Sequence, residues 1–287
     1  MISDIYNYAD DNSICTNGND YESAQSNILE CANIMLKWFK ENYLQANPSK
    51  FQFIVFDKQN ISHSLKINDH DIVSTGCVKL LGVSIDNQLN FKQHISIMCR
   101  KAGKQLNVLS RLSRCMSLES KMLLYQTFIL SHFNYCPLVW HFCTLEDTKK
   151  IGKIQERALR YVYNDFKSSY LDLLHRADKP FLYIQRIKHM MLFVYKCNNN
   201  VGPTYLHNMF KPKDNIYKLR NKYVLEQPLF NTVTYGKRSL KYEGSKLWNT
   251  LDNDVKNSLN SFKMYIKQWQ GFSCKCSYCT YCILANR

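Results

Sequence analysis

Two adjacent carboxylates, Asp10 and Asp11, are the residues of this sequence best suited to chemistry. They follow Tyr8 and Ala9 and lie between two short apolar and aromatic runs, so the pattern predicts a tight β-hairpin over the first fifteen residues, with residues 10–12 at its turn. Carboxylates on a rigid hairpin can hold two divalent cations about 4 Å apart, which together activate a hydroxyl and stabilise a leaving pyrophosphate. The sequence Asp-Asp-Asn is also typical of an ordinary turn, so the pattern alone leaves both interpretations open.

The elements that must position these carboxylates can be predicted from local patterns. Asp20 is expected to cap an amphipathic helix that ends between Asn42 and Pro48. Runs of aromatic and β-branched residues predict short strands after it, at residues 51–56, 64–67, 72–74 and 78–85. The first ninety residues therefore favour a small α+β arrangement with antiparallel strands.

Beyond Phe91 the hydrophobic pattern has helical spacing for about a hundred residues. A first helix follows Phe91, and further helices are expected at about residues 117–131, 146–163 and 181–197. Residues 211–235 are polar and irregular and are expected to form a loop that leads into a last helical unit. The fold class predicted for the whole chain is α+β, with a small antiparallel part followed by a mainly α-helical part.

Charge is distributed unevenly along the chain. Residues 1–75 hold 5 Lys and Arg and 10 Asp and Glu, a net charge of −5, whereas residues 76–287 hold 33 and 13, a net charge of +20. A strongly basic segment favours a polyanionic partner, of which nucleic acid is the commonest and an anionic membrane the alternative. Basic residues recur along the predicted helices and could contact phosphates, although a solvated helix surface has the same pattern; the candidates are Arg100, Lys101, Lys104, Arg111, Arg114, Lys149, Lys150, Lys153 and Arg157.

Residues 122–145 hold no charged side chain and are long enough to span a bilayer. They also include Gln126, His132, Asn134, Pro137 and His141, which would be costly in lipid but fit a buried helix, a bend and a second apolar segment. We therefore expect a core segment and no membrane partner. The N-terminus lacks the pattern of a secretory signal, so an intracellular protein of the nucleus or cytoplasm is expected.

Four cysteines near the C-terminus have spacing that could bind a metal. Structural zinc sites use four such thiolates, but this spacing is compressed, no histidine contributes, and a cysteine-rich end without metal is the alternative. The residues are Cys274, Cys276, Cys279 and Cys282.

Several motifs occur in a consistent order along the chain. They are Tyr8-Ala9-Asp10-Asp11, Trp38, Asn47-Pro48-Ser49-Lys50, Leu80-Leu81-Gly82-Val83, Tyr135-Cys136-Pro137 with Trp140, Ile154-Gln155-Glu156-Arg157-Ala158, Gly244, Leu247-Trp248-Asn249 and Phe262. In this order and spacing they resemble the reverse transcriptases of LINE-type, jockey-like non-LTR retrotransposons. The resemblance extends over nearly the whole chain and implies a C-terminal fragment without the fingers.

The resemblance implies a role for each matching residue. Asp10 and Asp11 would be Mg²⁺ ligands, and Tyr8 would pack near the primer end. Lys50 would be the general acid that protonates the leaving pyrophosphate, or else a solvated turn lysine. Leu81 and Gly82 would lie in the primer grip, or else in a buried strand. The implied partners are an RNA template, a DNA primer and deoxynucleoside triphosphates.

The resemblance also predicts domain limits. Residues 1–90 would be the last part of the palm, 91–210 a helical thumb-like domain, 211–272 a C-terminal extension and 273–287 the cysteine-rich tail. The family's palm has another metal-binding aspartate on an earlier strand, and Asp4 cannot replace it, since strand geometry places it some 20 Å along the chain from Asp10.

Three functions therefore stay open: a truncated RNA-directed DNA polymerase that is inactive alone, a non-catalytic nucleic-acid-binding protein, and a relic without a biochemical role.

Overall fold

The computed structural model describes residues 3–57, 61–213 and 224–269. The chain divides into two units, Met1–Leu89 and Asn90–Arg287. The first unit is built from short hairpins and one long helix, and the second from helices. This mixture of helices and small antiparallel sheets is compatible with an α+β fold.

The chain begins with the predicted hairpin. Strand β1 (Ser3–Tyr8) pairs with strand β2 (Asp11–Thr16) in antiparallel register, with Tyr8 opposite Asp11. The turn consists of Ala9, which has a φ of 52°, and Asp10. It is therefore one residue earlier than the sequence predicts, because Asp11 already pairs in β2.

Helix α1 (Tyr21–Glu41) begins at the predicted cap. The Asp20 carboxylate accepts a hydrogen bond from the Ser23 backbone N–H at 2.8 Å, and the Asp20 N–H donates to the Ser23 hydroxyl at 3.4 Å. This reciprocal pair satisfies donors that a helix start leaves free. The buried face of α1 includes Ala32, which packs in a small core with Leu65 and Ile67.

Two further hairpins complete the first unit. They pair β3 (Ser64–Ile67) with β4 (His70–Val73), and β5 (Cys77–Leu80) with β6 (Val83–Asp86). The strand predicted at residues 78–85 is thus wrong as a single strand, because the turn at Leu81-Gly82 folds it back on itself.

The strand predicted at residues 51–56 is also wrong. The segment has no regular structure, and its backbone contacts with the rest of the unit are isolated, such as the bond from the Thr75 N–H to the Phe53 carbonyl at 2.8 Å. Phe51 and Phe53 instead pack against the small core beside α1. The aromatic pattern therefore reflects burial of side chains and not a ladder of strands.

Eight α-helices among the described residues of the second unit position its basic residues and its core. They are α2 (Lys92–Leu112), α3 (Leu118–Leu124), α4 (Ser131–Asn134), α5 (Leu145–Tyr163), α6 (Tyr170–Ala177), α7 (Leu182–Asn198), α8 (Leu240–Asn249) and α9 (Leu259–Gln268), of which α3 and α4 form one rod joined by a π-helical segment, Tyr125–Leu130. Helix α2 packs against α5 and the π-helical segment. The helices predicted at about 117–131, 146–163 and 181–197 are confirmed.

Helix α7 contributes half of the buried residues of one hydrophobic core of the second unit. Its Ile187, Met190 and Val194 are buried together with Trp248 of α8 and Phe262 of α9. Residues assigned by sequence to the thumb-like domain and to the extension therefore share one core.

The uncharged segment 122–145 divides as the sequence predicts into a buried helix, a bend and a second apolar segment. The helix ends at Asn134, Cys136 has a φ of 43°, and Trp140 is fully buried beyond the bend. Among the residues that the structure describes, no helix has the length and apolar character needed to cross a membrane.

Candidate functional site

The hairpin of β1 and β2 exposes both candidate carboxylates at its tip. Asp10 is the second turn residue and Asp11 the first residue of β2, and both side chains are exposed. The only hydrogen bond described at Asp10 reaches its backbone carbonyl, from the Asn12 side chain at 3.1 Å. Exposed carboxylates of this kind suit a hard cation such as Mg²⁺, which takes oxygen ligands and keeps several waters.

Asp4 does not join these carboxylates. It pairs with Cys15 at the open end of the hairpin, whereas Tyr8 pairs with Asp11 at the tip. Its charge adds to the effect of burial in raising the pKa of the Cys15 thiol, burial being the larger cause. Within residues 3–57, 61–213 and 224–269, no three His, Cys, Asp or Glu side chains are grouped so that they could hold a metal.

Lys50 ends a short 3₁₀ turn, Pro48–Lys50, and its side chain is exposed. The Asn47 side chain caps the turn by accepting a hydrogen bond from the Ser49 N–H at 3.1 Å. The local geometry therefore explains the Asn-Pro-Ser-Lys sequence as a capped turn. The proposed acid role of Lys50 stays a prediction.

Leu81 and Gly82 form the two-residue turn between β5 and β6. Their φ values are 45° and 85°, which is the left-handed region at both central positions of the turn. Glycine adopts that region without strain and leucine rarely does. The turn therefore projects a strained, partly exposed leucine, and its assignment to a primer grip stays a prediction.

Helix α2 presents a basic stripe on the side opposite its core. Arg100, Lys104 and Arg111 are four and seven residues apart, which places them on one face. The buried residues of α2, among them Ile95, Ala102 and Leu109, lie on the opposite face. We refer to Arg100, Lys104 and Arg111 as the α2 stripe.

Two of the candidate residues near α2 lie apart from this stripe. Lys101 is about 100° around the helix from Arg100. Its charge adds to burial, the larger cause, in lowering the pKa values of His94 and His132. Arg114 is exposed just beyond the end of α2.

Helix α5 carries a second basic stripe, formed by Lys149, Lys153 and Arg157, which we call the α5 stripe. All three are exposed, and the buried face opposite includes Ile151, Ala158 and Val162. Lys150 differs, because its ammonium lies 3.3 Å from the buried Asp147 carboxylate. Within the described part of the chain, no ion pair neutralises a residue of either stripe.

Gln155 of α5 is a hydrogen-bonding centre that sequence reasoning missed. Its amide NH₂ donates to the Tyr125 hydroxyl and the Pro180 carbonyl, both at 3.2 Å. Its carbonyl oxygen accepts from the Tyr170 hydroxyl at 2.6 Å and from the Leu182 N–H at 3.2 Å. One fully buried side chain thus joins four elements, and only its neutral polar character within an apolar helix face could have indicated this.

Arg186 of α7 forms a second buried polar group. Its guanidinium lies over the Trp140 ring at 4.7 Å and near the Tyr183 ring at 5.6 Å, and donates to the Thr148 hydroxyl at 3.4 Å. His141 stacks on Tyr183 with ring centroids 5.6 Å apart. Burial, helped by the Arg186 charge, lowers the pKa of His141 to about 3, so its ring is neutral at pH 7. Trp140 of the Tyr-Cys-Pro motif therefore has a structural role.

The candidate zinc ligands Cys274, Cys276, Cys279 and Cys282 lie outside the described residues, as does the predicted tail at 273–287. The eight described cysteines are free thiols.

This chain, which combines a hairpin tipped by two carboxylates with basic helices, is similar in sequence to transposon-encoded RNA-directed DNA polymerases, as the motifs predict. In Drosophila melanogaster, a probable RNA-directed DNA polymerase from transposon BS is 23% identical over 161 residues, which are 54% of this chain and 18% of that protein. A probable RNA-directed DNA polymerase from transposon X-element is 24% identical over 160 residues, with the same two shares. No family model matches the chain, and no solved structure matches it.

The predicted resemblance to these reverse transcriptases is therefore confirmed over 54% of the chain. The matched stretch spans 18% of the length of either relative.

Proposed function

We propose that this chain is part of an RNA-directed DNA polymerase of a non-LTR retrotransposon. The first unit would supply part of the palm, and the helices of the second unit would hold the template and primer. The observation that carries the proposal is the hairpin that exposes Asp10 and Asp11 at its tip, in a chain similar to two polymerases of this kind.

Asp10 and Asp11 are the residues that would hold Mg²⁺. Their exposed carboxylates, which accept no hydrogen bond within the described residues, fit a cation with oxygen ligands. When bound, the metal pair would supply Lewis-acid stabilisation of the charge that develops during nucleotidyl transfer. Lys50 would donate a proton to the leaving pyrophosphate, and Tyr8, which is 67% exposed, would provide an aromatic surface beside the primer end.

The α2 and α5 stripes would bind the sugar–phosphate backbone of an RNA–DNA duplex. Each stripe offers three exposed cations on a rigid helix, at spacing that repeats along one face. Contacts of this type determine affinity and orientation but do not read sequence. We therefore expect binding that depends strongly on salt and weakly on base sequence.

We further propose that nucleotidyl transfer requires polypeptide beyond this chain. The described residues bring two neighbouring carboxylates together, whereas a two-metal site needs more ligands. The relatives are also far longer than the stretch they share with this chain. The chain alone should accordingly bind nucleic acid without extending a primer.

Primer extension on an RNA template tests the catalytic part of the proposal. The protein would be this chain joined to the fingers and earlier palm strands of a related active polymerase. Asp10→Asn should lower Mg²⁺-dependent extension at least about 100-fold, because it removes charge that stabilises the transition state. Asp4→Asn, at the far end of the same hairpin, is the matched control and should extend normally. Equal activity of Asp10→Asn and the parent would contradict the proposed metal role.

A non-catalytic nucleic-acid-binding protein is the second candidate. It is favoured by the basic stripes, which lie on helices of the second unit and do not depend on the hairpin. On this alternative, the chain binds duplex, and Asp10→Asn does not change that binding. The joined protein does not extend primers, although the added fingers and palm strands are active when they are joined to the thumb of their own polymerase.

A further inference from the structure

A cavity of about 430 Å³ lies in the second unit, between the end of α7, the segment after it and α8. This volume is within the range of sites for small ligands. None of the basic stripe residues lines it, so the cavity is separate from the proposed duplex contacts.

The lining of this cavity combines apolar rings with groups that both donate and accept hydrogen bonds. Phe210 and Trp248 contribute aromatic surface, and Asn198 and Asn208 contribute amides. Lys211 is the one lysine or arginine among the lining residues that the structure describes. A pocket for a free anion would use mainly cations and N–H donors, whereas amides above an apolar wall match the edge and face of a nucleobase.

Two polar groups of the lining have hydrogen-bonding capacity left for a ligand. The Asn198 Nδ2 is buried and has no partner among the described residues, which is unfavourable for a donor. The His207 Nε2 lies 3.0 Å from the Gly202 carbonyl, to which it donates, so Nδ1 is the acceptor nitrogen of the neutral ring. The lining residues thus include one buried donor without a partner and one acceptor nitrogen.

The walls of the cavity are held in place without a ligand. The Asn249 side chain accepts from the Leu225 N–H and donates to the Leu225 carbonyl, both at 2.8 Å. Pro212 bridges to Leu225 across the cavity rim. A Cβ at Gly244 would lie 3.0 Å from the Phe210 and Val194 side chains, so glycine lets α8 pack closely against them. A preformed pocket loses little entropy when a ligand binds.

We propose that this cavity binds one unstacked base of a single-stranded nucleic acid, with Lys211 contacting the adjoining phosphate. The proposal deepens the proposed function, because it presumes a nucleic-acid partner. The net charge of +20 on residues 76–287 would attract the strand, and the amides of Asn198 and Asn208 would contact the edge of the base. The stripes would then hold duplex and the cavity the unpaired strand.

The test is binding of fluorescently labelled 12-mers, as RNA and as DNA, measured by anisotropy against fully abasic 12-mers of the same length. Asn198→Ala should bind the base-containing strands about threefold to tenfold more weakly, the size of one or two lost hydrogen bonds. Its binding to abasic strands should not change. Asn208→Ala is a second variant at an exposed side chain with the same expected direction, and Asn260→Ala, exposed on α9 outside the cavity, is the matched control.

The proposal is overturned if base-containing and abasic strands bind wild type equally, or if folded Asn198→Ala and Asn208→Ala bind as wild type does. Its failure can be told from failure of the proposed function by duplex binding. If charge reversal of the stripes abolishes duplex binding but the cavity variants bind single strands normally, the role of the stripes is supported and the cavity proposal is rejected. If the cavity variants weaken single-strand binding but wild type does not bind duplex, the cavity is supported and the role of the stripes is rejected.

Discussion

At the scale of single residues, the buried polar side chains determine more of this structure than the exposed candidates for chemistry. Gln155 satisfies its four hydrogen-bonding positions with partners that are 15 to 30 residues away in the chain. The sequence gives the residue type, but tertiary packing determines which groups the side chain contacts. The pattern therefore predicted the helix and the resemblance to transposon polymerases, and could not predict the role of this glutamine.

Gln155→Leu should destabilise the second unit by about 3 kcal/mol. Leucine has a similar volume, but the change leaves the buried Tyr125 and Tyr170 hydroxyls and the Leu182 N–H without their partner. Urea denaturation followed by circular dichroism measures the difference. Gln126→Leu, at an exposed position of the π-helical segment, is the control and should change stability by less than about 0.5 kcal/mol. Similar stability of Gln155→Leu and wild type would show that water replaces this centre.

His141 should make the protein less stable below pH 6.5. Its pKa is about 3 in the folded protein, because of burial and the Arg186 charge, and near 6.5 when unfolded. As pH falls below 6.5 the unfolded state binds this proton first, so the free energy of unfolding decreases by up to about 1.4 kcal/mol per pH unit until pH 3. Burial also lowers the pKa values of His94, His132 and His189, which act in the same direction.

His141→Phe isolates the contribution of this one histidine. Phenylalanine keeps an aromatic ring beside Tyr183 but binds no proton. Between pH 6.5 and 4, the free energy of unfolding of the variant should therefore fall less steeply with decreasing pH than that of wild type, by up to about 1.4 kcal/mol per pH unit. Thermal or urea unfolding at several pH values measures that slope. Identical slopes for the variant and wild type would mean that His141 has the same pKa in the folded and unfolded states.

At the scale of elements, the hairpin of β5 and β6 has a turn whose backbone suits only one of its two residues. The β5–β6 turn needs a positive φ at Leu81 and Gly82, and only the glycine is suited to it. Leu81→Asn should therefore raise the melting temperature of the protein, by the equivalent of about 0.5 to 1 kcal/mol, since asparagine tolerates the left-handed region. Leu80→Asn, at a position without positive φ, is the control and should give no gain.

The same variant tests whether that leucine is retained for function. If Leu81 contacts the primer, Leu81→Asn in the joined polymerase should extend primers more slowly although the protein is more stable. Scanning calorimetry and primer extension on one preparation make the comparison. Normal extension by the stabilised variant would contradict a primer-grip role for the leucine side chain.

At the scale of the whole molecule, the sequence predicts local structure better than pairing between distant segments. The cap at Asp20, the first hairpin and the long helices follow from residues close in the chain, and they are confirmed. The strand at residues 51–56 is wrong because an aromatic pattern does not reveal whether a partner strand is present. The cavity beside α7 could not be predicted, since its lining combines residues between 198 and 212 with Val224, Leu225 and Trp248, which are distant in the chain.

The candidate site was predictable to a similar degree. Asp10 and Asp11 could be placed on a hairpin tip from their neighbours alone, and the charge difference indicated which part of the chain would bind a polyanion. The sequence pattern did not separate Lys101 and Lys150 from the two stripes. The pKa effects of Lys101 on His94 and His132, and the contact of Lys150 with Asp147, show that they differ.

The measurement that tests the central claim most directly is binding of the purified chain to an RNA–DNA duplex over a range of salt concentrations. Affinity should fall steeply with salt, and Arg100→Glu, Lys104→Glu and Arg111→Glu together should weaken binding and reduce the slope of log K against log salt by about 3, one for each lost phosphate contact. The matched control replaces three exposed lysines of the first unit with glutamate and so changes the net charge by the same amount. These lysines are Lys37, Lys40 and Lys66. Equal effects of the two triple variants, or no binding at low salt by a folded protein, would contradict the claim.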